Sequence, residues 1–234
     1  MTRLMADLQI SVSARVAVAI RSIMSLAYRY EYMGANFSFD ADKELDDEVY
    51  RILLQMVNDI EEGIKAAATK AAEDDTTIIP FITREQYGQT LTERLDMHAS
   101  RLREALAAYI LSCFKAKKRR AEGIGGAQTY IATTRQHFGQ GVNSDPAVAM
   151  TITGQTAIAE AYHRKRIDLF REEGDDGYQI FRGSNFPCEL CDSVCFNDDG
   201  TRKTYTFDDI MPIPVHPRCV CYAVGYRKQI KEMI

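Results

Sequence analysis

The sequence predicts a mainly α protein, a body of long helices followed by a small cysteine-rich α+β module. Three observations predict it. Apolar residues recur at three- and four-residue steps through the first ~175 positions, the period of a one-sided helix. From Gly177 onward the grammar changes to short alternation with turn signals. Cys188, Cys191, Cys195, Cys219 and Cys221 crowd the last fifth of the chain, while Cys113 stands alone.

The elements follow in order. Leu8, Val12, Val16, Ile20, Ile23 and Ala27 share the face of a first helix, broken by Gly34 to Phe39. Leu45, Val49, Ile52, Leu53, Met56, Ile60 and Ile64 form a second stripe. Acidic residues from Asp40 to Glu48 sit in its first turns, where the helix dipole favours them. Gly63 weakens that helix by about 1 kcal/mol relative to alanine. Residues 76–82 (TTIIPFI) are β-branched around Pro80 and read as an extended connector. Thr83 and Gln86 form a capping-box pattern. Tyr87, Leu91, Leu95, Leu102, Leu106, Ile110 and Cys113 carry a third helix to about Arg120, where Gly123, Gly125 and Gly126 stop it. A shorter fourth helix fits 127–137, with a turn at 139–143. Asp145-Pro146 is a side-chain cap followed by proline at the first helical position. That fifth helix runs to about Glu173 and ends at Gly174. Tyr178, Ile180 and Arg182 then alternate with Gln179 and Phe181 as a strand. Turns follow at Ser184-Asn185 and Asp199-Gly200, and a second strand covers Val220 to Val224. The division expected is a helical body, 1–144, and a module, 145–234.

Composition excludes several classes. The chain has 234 residues with 46% hydrophobic and 26% charged, ordinary for a globular protein with a real core. Disordered, collagen-like and low-complexity chains do not look like this. A net charge of -4 argues against a dedicated nucleic-acid wrapper, though not against a local basic patch. Arg3, Asp7, Arg15, Arg21 and Arg29 interrupt the apolar N-terminus, leaving no uncharged run near the ~18 residues of a membrane span. No membrane partner is expected. Without an export signal, a reducing compartment is the default, where cysteines are free or metal-bound.

The chemistry concentrates in two clusters. Cys188-Glu-Leu-Cys191 is a C-x2-C pair, and His216-Pro-Arg-Cys219-Val-Cys221 is an H-x2-C-x-C cluster, 24 residues further on. Two thiolates separated by two residues grip one ion from a tight turn, and a second pair brought back by a hairpin completes a tetrahedron. Pro187 and Pro217 stiffen the two turns. The predicted cofactor is structural zinc, held by Cys188, Cys191, His216 and Cys219. Cys221, two residues after Cys219, can replace either partner of the second cluster. Four protein ligands close a zinc site, and a closed site is structural rather than catalytic. Buried or disulfide-bonded cysteines are the rival account. The expected fold is thus a long-helix body followed by a zinc-stapled module.

The segment 156–224 resembles the C-terminal domain of the phage Mu F-like minor head proteins, the phage head morphogenesis family. The resemblance rests on TAIAEAYHRKRIDLFREEG, GYQIFRGS, CELC, DDG and PIPVHPRCVC, above all on CELC combined with the HPRCVC ending. It covers about a third of the chain. Cys195, and a turn glycine set further from CELC, depart from the pattern. The resemblance implies a minor capsid protein of a tailed phage or prophage, portal-associated and acting in head assembly and DNA packaging or delivery. It places the chain in the capsid interior near the portal, and in the host cytoplasm during assembly. Long amphipathic helices suit docking against other helical surfaces.

The remaining motifs have plainer readings. Lys115, Lys117, Lys118, Arg119 and Arg120 offer weak phosphate contact to DNA, against a solvated helix C-terminus as the simpler account. His163-Arg164-Lys165-Arg166 reads as helix surface. His98 and Cys113 read as core or rim residues, His137 has no evident partner, and Asp40 to Glu48 reads as a solvated helix start. There is no phosphate loop, H-E-x-x-H or G-x-S-x-G, so an enzyme is not expected. Two alternatives stand beside the assembly reading. One is a zinc-containing nucleic-acid-binding module. The other is a zinc-supported nuclease or toxin-like enzyme using His216 as base and a metal at Asp198 or Asp199.

Overall fold

The computed structural model describes residues 2–71, 88–126, 145–209, 211–216 and 219–228. The chain is mainly helical, with a small three-stranded antiparallel sheet. The helices are α1 (Thr2–Ala27), α2 (Lys43–Ala71), α3 (Leu91–Lys115), α4 (Pro146–Glu172) and the short α5 (Glu189–Cys195). The strands are β1 (Gly177–Phe181), β2 (Thr204–Tyr205) and β3 (Tyr222–Tyr226), in the order β2-β1-β3. The connector at 76–82, the capping box at Thr83 and Gln86, the helix at 127–137, the turn at 139–143, His137 and Pro217 lie outside the described residues.

The chain divides into two compact units. One comprises Ile10–Glu62 and Ile82–Gly154, and the other Met1–Gln9, Gly63–Phe81 and Gln155–Ile234. In the first, the helical unit, the expected stripes are the core. Val12, Val16, Ile20 and Ile23, then Leu45, Val49 and Ile60, then Leu91, Leu95 and Ile110 are all buried. The stretch Ile10–Asn36 is long and apolar enough to cross a membrane by length and composition, and half of an 18-residue apolar window within it is buried inside the protein. Arg15, Arg21 and Arg29 still interrupt it, so it contains no uncharged run of the length of a span.

After α1 the chain tightens into a 3-10 stretch, Tyr28–Asn36, interrupted at Tyr30 and at Gly34, whose φ is +55°. Tyr28, Phe37, Phe39 and Phe114 then form an edge-to-face cluster with centroids 5.1–5.5 Å apart. The acidic start of α2 is not merely solvated: Arg103 reaches Asp40 and Asp46, each at 2.5 Å.

Within the described residues α3 begins at a capping box. Thr90 accepts from the Glu93 amide at 3.2 Å and Glu93 accepts from the Thr90 amide at 2.7 Å. The helix ends at Lys115 rather than at Arg120. Lys117 takes φ +51°, and the Lys117 and Lys118 amides donate to the Phe114 and Cys113 carbonyls at 3.0 and 2.9 Å. This is a Schellman ending with lysine where glycine is usual. Gly123, Gly125 and Gly126 do not stop the helix; they lie in a further helical turn over 120–126.

α4 starts as its sequence predicts: Asp145 accepts from the Ala147 and Val148 amides at 2.8 and 3.3 Å. It ends in a Schellman motif at Gly174, φ +77°, with Asp175 donating to the Phe170 carbonyl at 3.0 Å. Beyond it, in the cysteine-rich unit, one core gathers Ile167, Phe170, Tyr178, Ile180, Ile213 and Ala223 with Cys191, Cys195, Cys219 and Cys221. β3 pairs from Tyr222 rather than Val220. Val220 instead runs against Gly183, where a Cβ would collide with the Val220 carbonyl oxygen. Only glycine permits that approach, and it brings the Cys219–Cys221 segment alongside the end of β1.

Candidate metal centre

The CELC pair sits at the N-terminus of a helix, not in a tight turn. Cys188 is the extended N-cap residue of α5, and its carbonyl accepts from the Asp192 amide at 2.9 Å. Cys191 lies in the first turn and Cys195 at the end. Steps of three and four put all three thiols on one helix face. The second cluster comes from the irregular segment before β3, where the Cys219 amide donates to the His216 carbonyl at 3.0 Å.

The fold brings the five predicted ligands together. The His216 ring Nε2 lies 3.4 Å from the Cys188 Sγ and 3.1 Å from the Cys191 Sγ. A tetrahedral zinc with ordinary bond lengths holds sulfur and nitrogen ~3.6 Å apart, so this spacing fits one ion. Cys188, Cys191 and His216 form one set with all donor atoms within 4.8 Å of one another; Cys191, Cys219 and Cys221 form a second. These residues could hold a metal ion. All six cysteines are free thiols. Soft thiolates and an imidazole are donors that suit zinc.

The electrostatics are those of a packed thiol network. The Cys219 thiol is pulled down to about 5, first by the Cys221 thiol that donates to it, then by backbone groups of Val215 and Cys221. Cys221 is pushed up by the same contact and by burial. Burial raises Cys191 to about 12 and also raises Cys195. Cys188, nearer solvent, is lowered by hydrogen bonds from Cys191 and by nearby His216. Anchoring is local too. Arg182 pairs with Asp192 of α5 at 2.9 Å, and Arg202 donates to the Ile180 carbonyl at 2.7 Å while lying over the Phe181 and Phe196 rings.

Two residues of this centre escape sequence reasoning. Cys195, which departs from the family pattern, is fully buried in the core that also holds Cys191, Cys219 and Cys221. Its signal was the 188/191/195 spacing. His163, expected on a helix surface, is 3% exposed and hydrogen-bonds to the backbone of Cys221. Burial drives its ring down to about 4, so it is neutral. Its signal was its step of four residues from both Ala159 and Ile167, themselves buried. Lys165 of the same basic cluster is also buried.

The other candidates lie elsewhere. Lys115, Lys117, Lys118, Arg119 and Arg120 are exposed, with Arg119 paired to Glu122 at 2.9 Å. His98 is buried on α3, 3.2 Å from the Thr153 hydroxyl, and Cys113 is fully buried. Asp199 accepts from the Thr201 amide and hydroxyl at 2.9 and 2.6 Å, shaping an exposed turn with Gly200 at φ +80°. Comparison of the chain with protein-family models, curated proteins and solved structures gives no match.

Proposed function

We propose that the cluster binds structural zinc and that the chain is a minor head protein of a tailed phage or prophage, of the Mu F-like kind. The observation that carries the reading is the meeting of CELC and HPRCVC in one cluster of donors. These are the two segments on which the family resemblance rests. The chemistry agrees with a staple: donors enough to surround zinc leave no position for a reacting water. The protein then works by occupying a place in the head beside the portal, during assembly in the host cytoplasm and afterwards in the capsid interior. No substrate is turned over. DNA contact through Lys115 to Arg120 is a minor, salt-sensitive addition, because the chain as a whole is acidic.

The test compares phage particles from wild-type, deletion and His216→Cys genes. Cysteine replaces histidine as a zinc ligand, so His216→Cys keeps zinc, incorporation and most infectivity, whereas deletion lowers DNA delivery. Normal zinc content and incorporation with complete loss of function would overturn the structural role and favour a His216-dependent activity. Absence of the protein from mature heads would overturn the location.

A further inference from the structure

The helical unit leaves apolar surface uncovered on α1 and α2. Ile10 and Val18 of α1 are 65% and 58% exposed, and Tyr50 and Leu54 of α2 are exposed as well. Half of the apolar window in α1 is likewise left uncovered. Exposed apolar side chains scattered singly are ordinary, but these four stand on the two helices that form one groove. The groove has a volume of about 520 Å³. Ala14 and Val18 of α1 and Ile52 and Met56 of α2 give it an apolar lining.

The charges in the groove select its occupant. They are mixed, Arg15 and Arg51 against Asp59. A lipid surface favours basic residues around an apolar face, and a polyanion favours basic residues alone. On α2 the polar residues of the groove form a row, Arg51, Gln55 and Asp59. Steps of four put them on one side of the helix, about 6 Å apart along its axis. Asp59 accepts from the Gln55 amide nitrogen at 2.7 Å, and Arg51 has no ionic partner among the described residues. The row is positive at one end, neutral in the middle and negative at the other. Turned end for end, it is complementary to itself.

We propose that this face joins two copies of the chain, with the two α2 helices antiparallel across a two-fold axis at Gln55. Arg51 of each copy then meets Asp59 of the other, and Gln55 meets Gln55. A two-fold contact makes each pair twice. A parallel arrangement would set Arg51 against Arg51 and Asp59 against Asp59, so the same row that favours one orientation rejects the other. Val18 and Leu54 are covered by the contact, which removes apolar surface from water. The inference rests on the helical unit alone, so its failure leaves the metal and head-protein readings standing.

The experiment is sedimentation velocity on the full chain, purified reduced, through the micromolar range. The wild type shifts from monomer to dimer as concentration rises. Arg51→Asp and Asp59→Arg each set like charges opposite one another and weaken the dimer on the order of 100-fold. An equimolar mixture of these two variants regains the dimer, because every 51–59 contact in the mixed pair joins opposite charges. Val18→Glu abolishes association while circular dichroism shows the helices intact. A wild type that stays monomeric overturns the proposal. A dimer indifferent to all three substitutions overturns it by placing the contact on another face. A mixture that stays monomeric overturns the antiparallel register. Binding of a monomeric wild type to anionic lipid vesicles, lost in Val18→Glu, would assign the face to a membrane and overturn it too. Should a charge variant fail to fold, the wild-type series and Val18→Glu still decide.

Discussion

The two units solve the problem of stability in opposite ways. The helical unit is built from long elements, and its fully buried side chains include Val12, Ile23, Leu45, Ile60, Leu95 and Ile110. Each helix offers a continuous apolar stripe, so burial alone supplies the cohesion. In the cysteine-rich unit the sheet has strands of five, two and five residues, and four of the ten residues in the adjoining core are cysteines. Elements that short bury little surface, and small modules need a cross-link. The difference teaches that one chain can contain a region held by buried area and a region whose short elements gather around a cluster of donors that could hold a metal ion.

The sharpest way to break the comparison is to remove the metal. Zinc binding contributes roughly 10–16 kcal/mol in small zinc-dependent folds, as large as the whole stability of a typical domain. A strong chelator is expected to abolish amide-exchange protection in β1, α5 and β3 while α3 keeps its protection. Loss of protection in α3 as well would show that the helical unit is not self-sufficient.

The converse experiment acts on burial. Leu95 is fully buried on α3. Leu95→Ala is expected to cost about 2–5 kcal/mol, read as a lower denaturant midpoint with an unchanged slope. Zinc content measured on the same samples stays the same. A fall in zinc content would mean that the two modes of stabilisation are not separable.

Next in size is His163→Ala. It removes the ring bonded to the Cys221 backbone, the outer support of a donor. Such losses lower metal affinity about 10–100-fold. Competition against a chromophoric chelator measures it, and an unchanged affinity would reduce His163 to a packing residue.

What the sequence made legible follows the same division. Stripes and caps are local, so α1, α2 and α4 could be read from periodicity and from Asp145-Pro146. The two ends marked by a Schellman motif show the limit. Gly174 announces its turn because only glycine adopts positive φ freely, whereas Lys117 adopts φ +51° with no signal in its side chain. The helix was therefore expected to run five residues too far. In the cysteine-rich unit the donors were legible as residue types at metal-binding spacings. Their supports were not. α5 is too short for periodicity to reveal. The need for Gly183 arises only when Val220 passes against it, and His163 reaches Cys221 across 58 positions of chain. These are tertiary facts.

The smallest effect isolates a purely local device in the helical unit. Thr90 and Glu93 form the exposed capping box of α3, two reciprocal bonds at 3.2 and 2.7 Å. Thr90→Ala removes the acceptor for the Glu93 amide and is expected to cost about 1 kcal/mol. Because the Thr90 backbone and hydroxyl bond to the Glu93 carboxylate, its pKa lies below the usual 4.5. The sign follows directly. A carboxyl with a depressed pKa in the fold stabilises above its unfolded value, and that contribution is lost as pH falls through the folded value. The wild-type advantage over Thr90→Ala should therefore be complete at neutral pH and shrink below about pH 4.5. Glu93→Gln should show a flatter pH dependence than wild type. Parallel melting curves from pH 3 to 7 measure both. An advantage for wild type that does not change with pH would show that the Glu93 charge adds nothing to the cap.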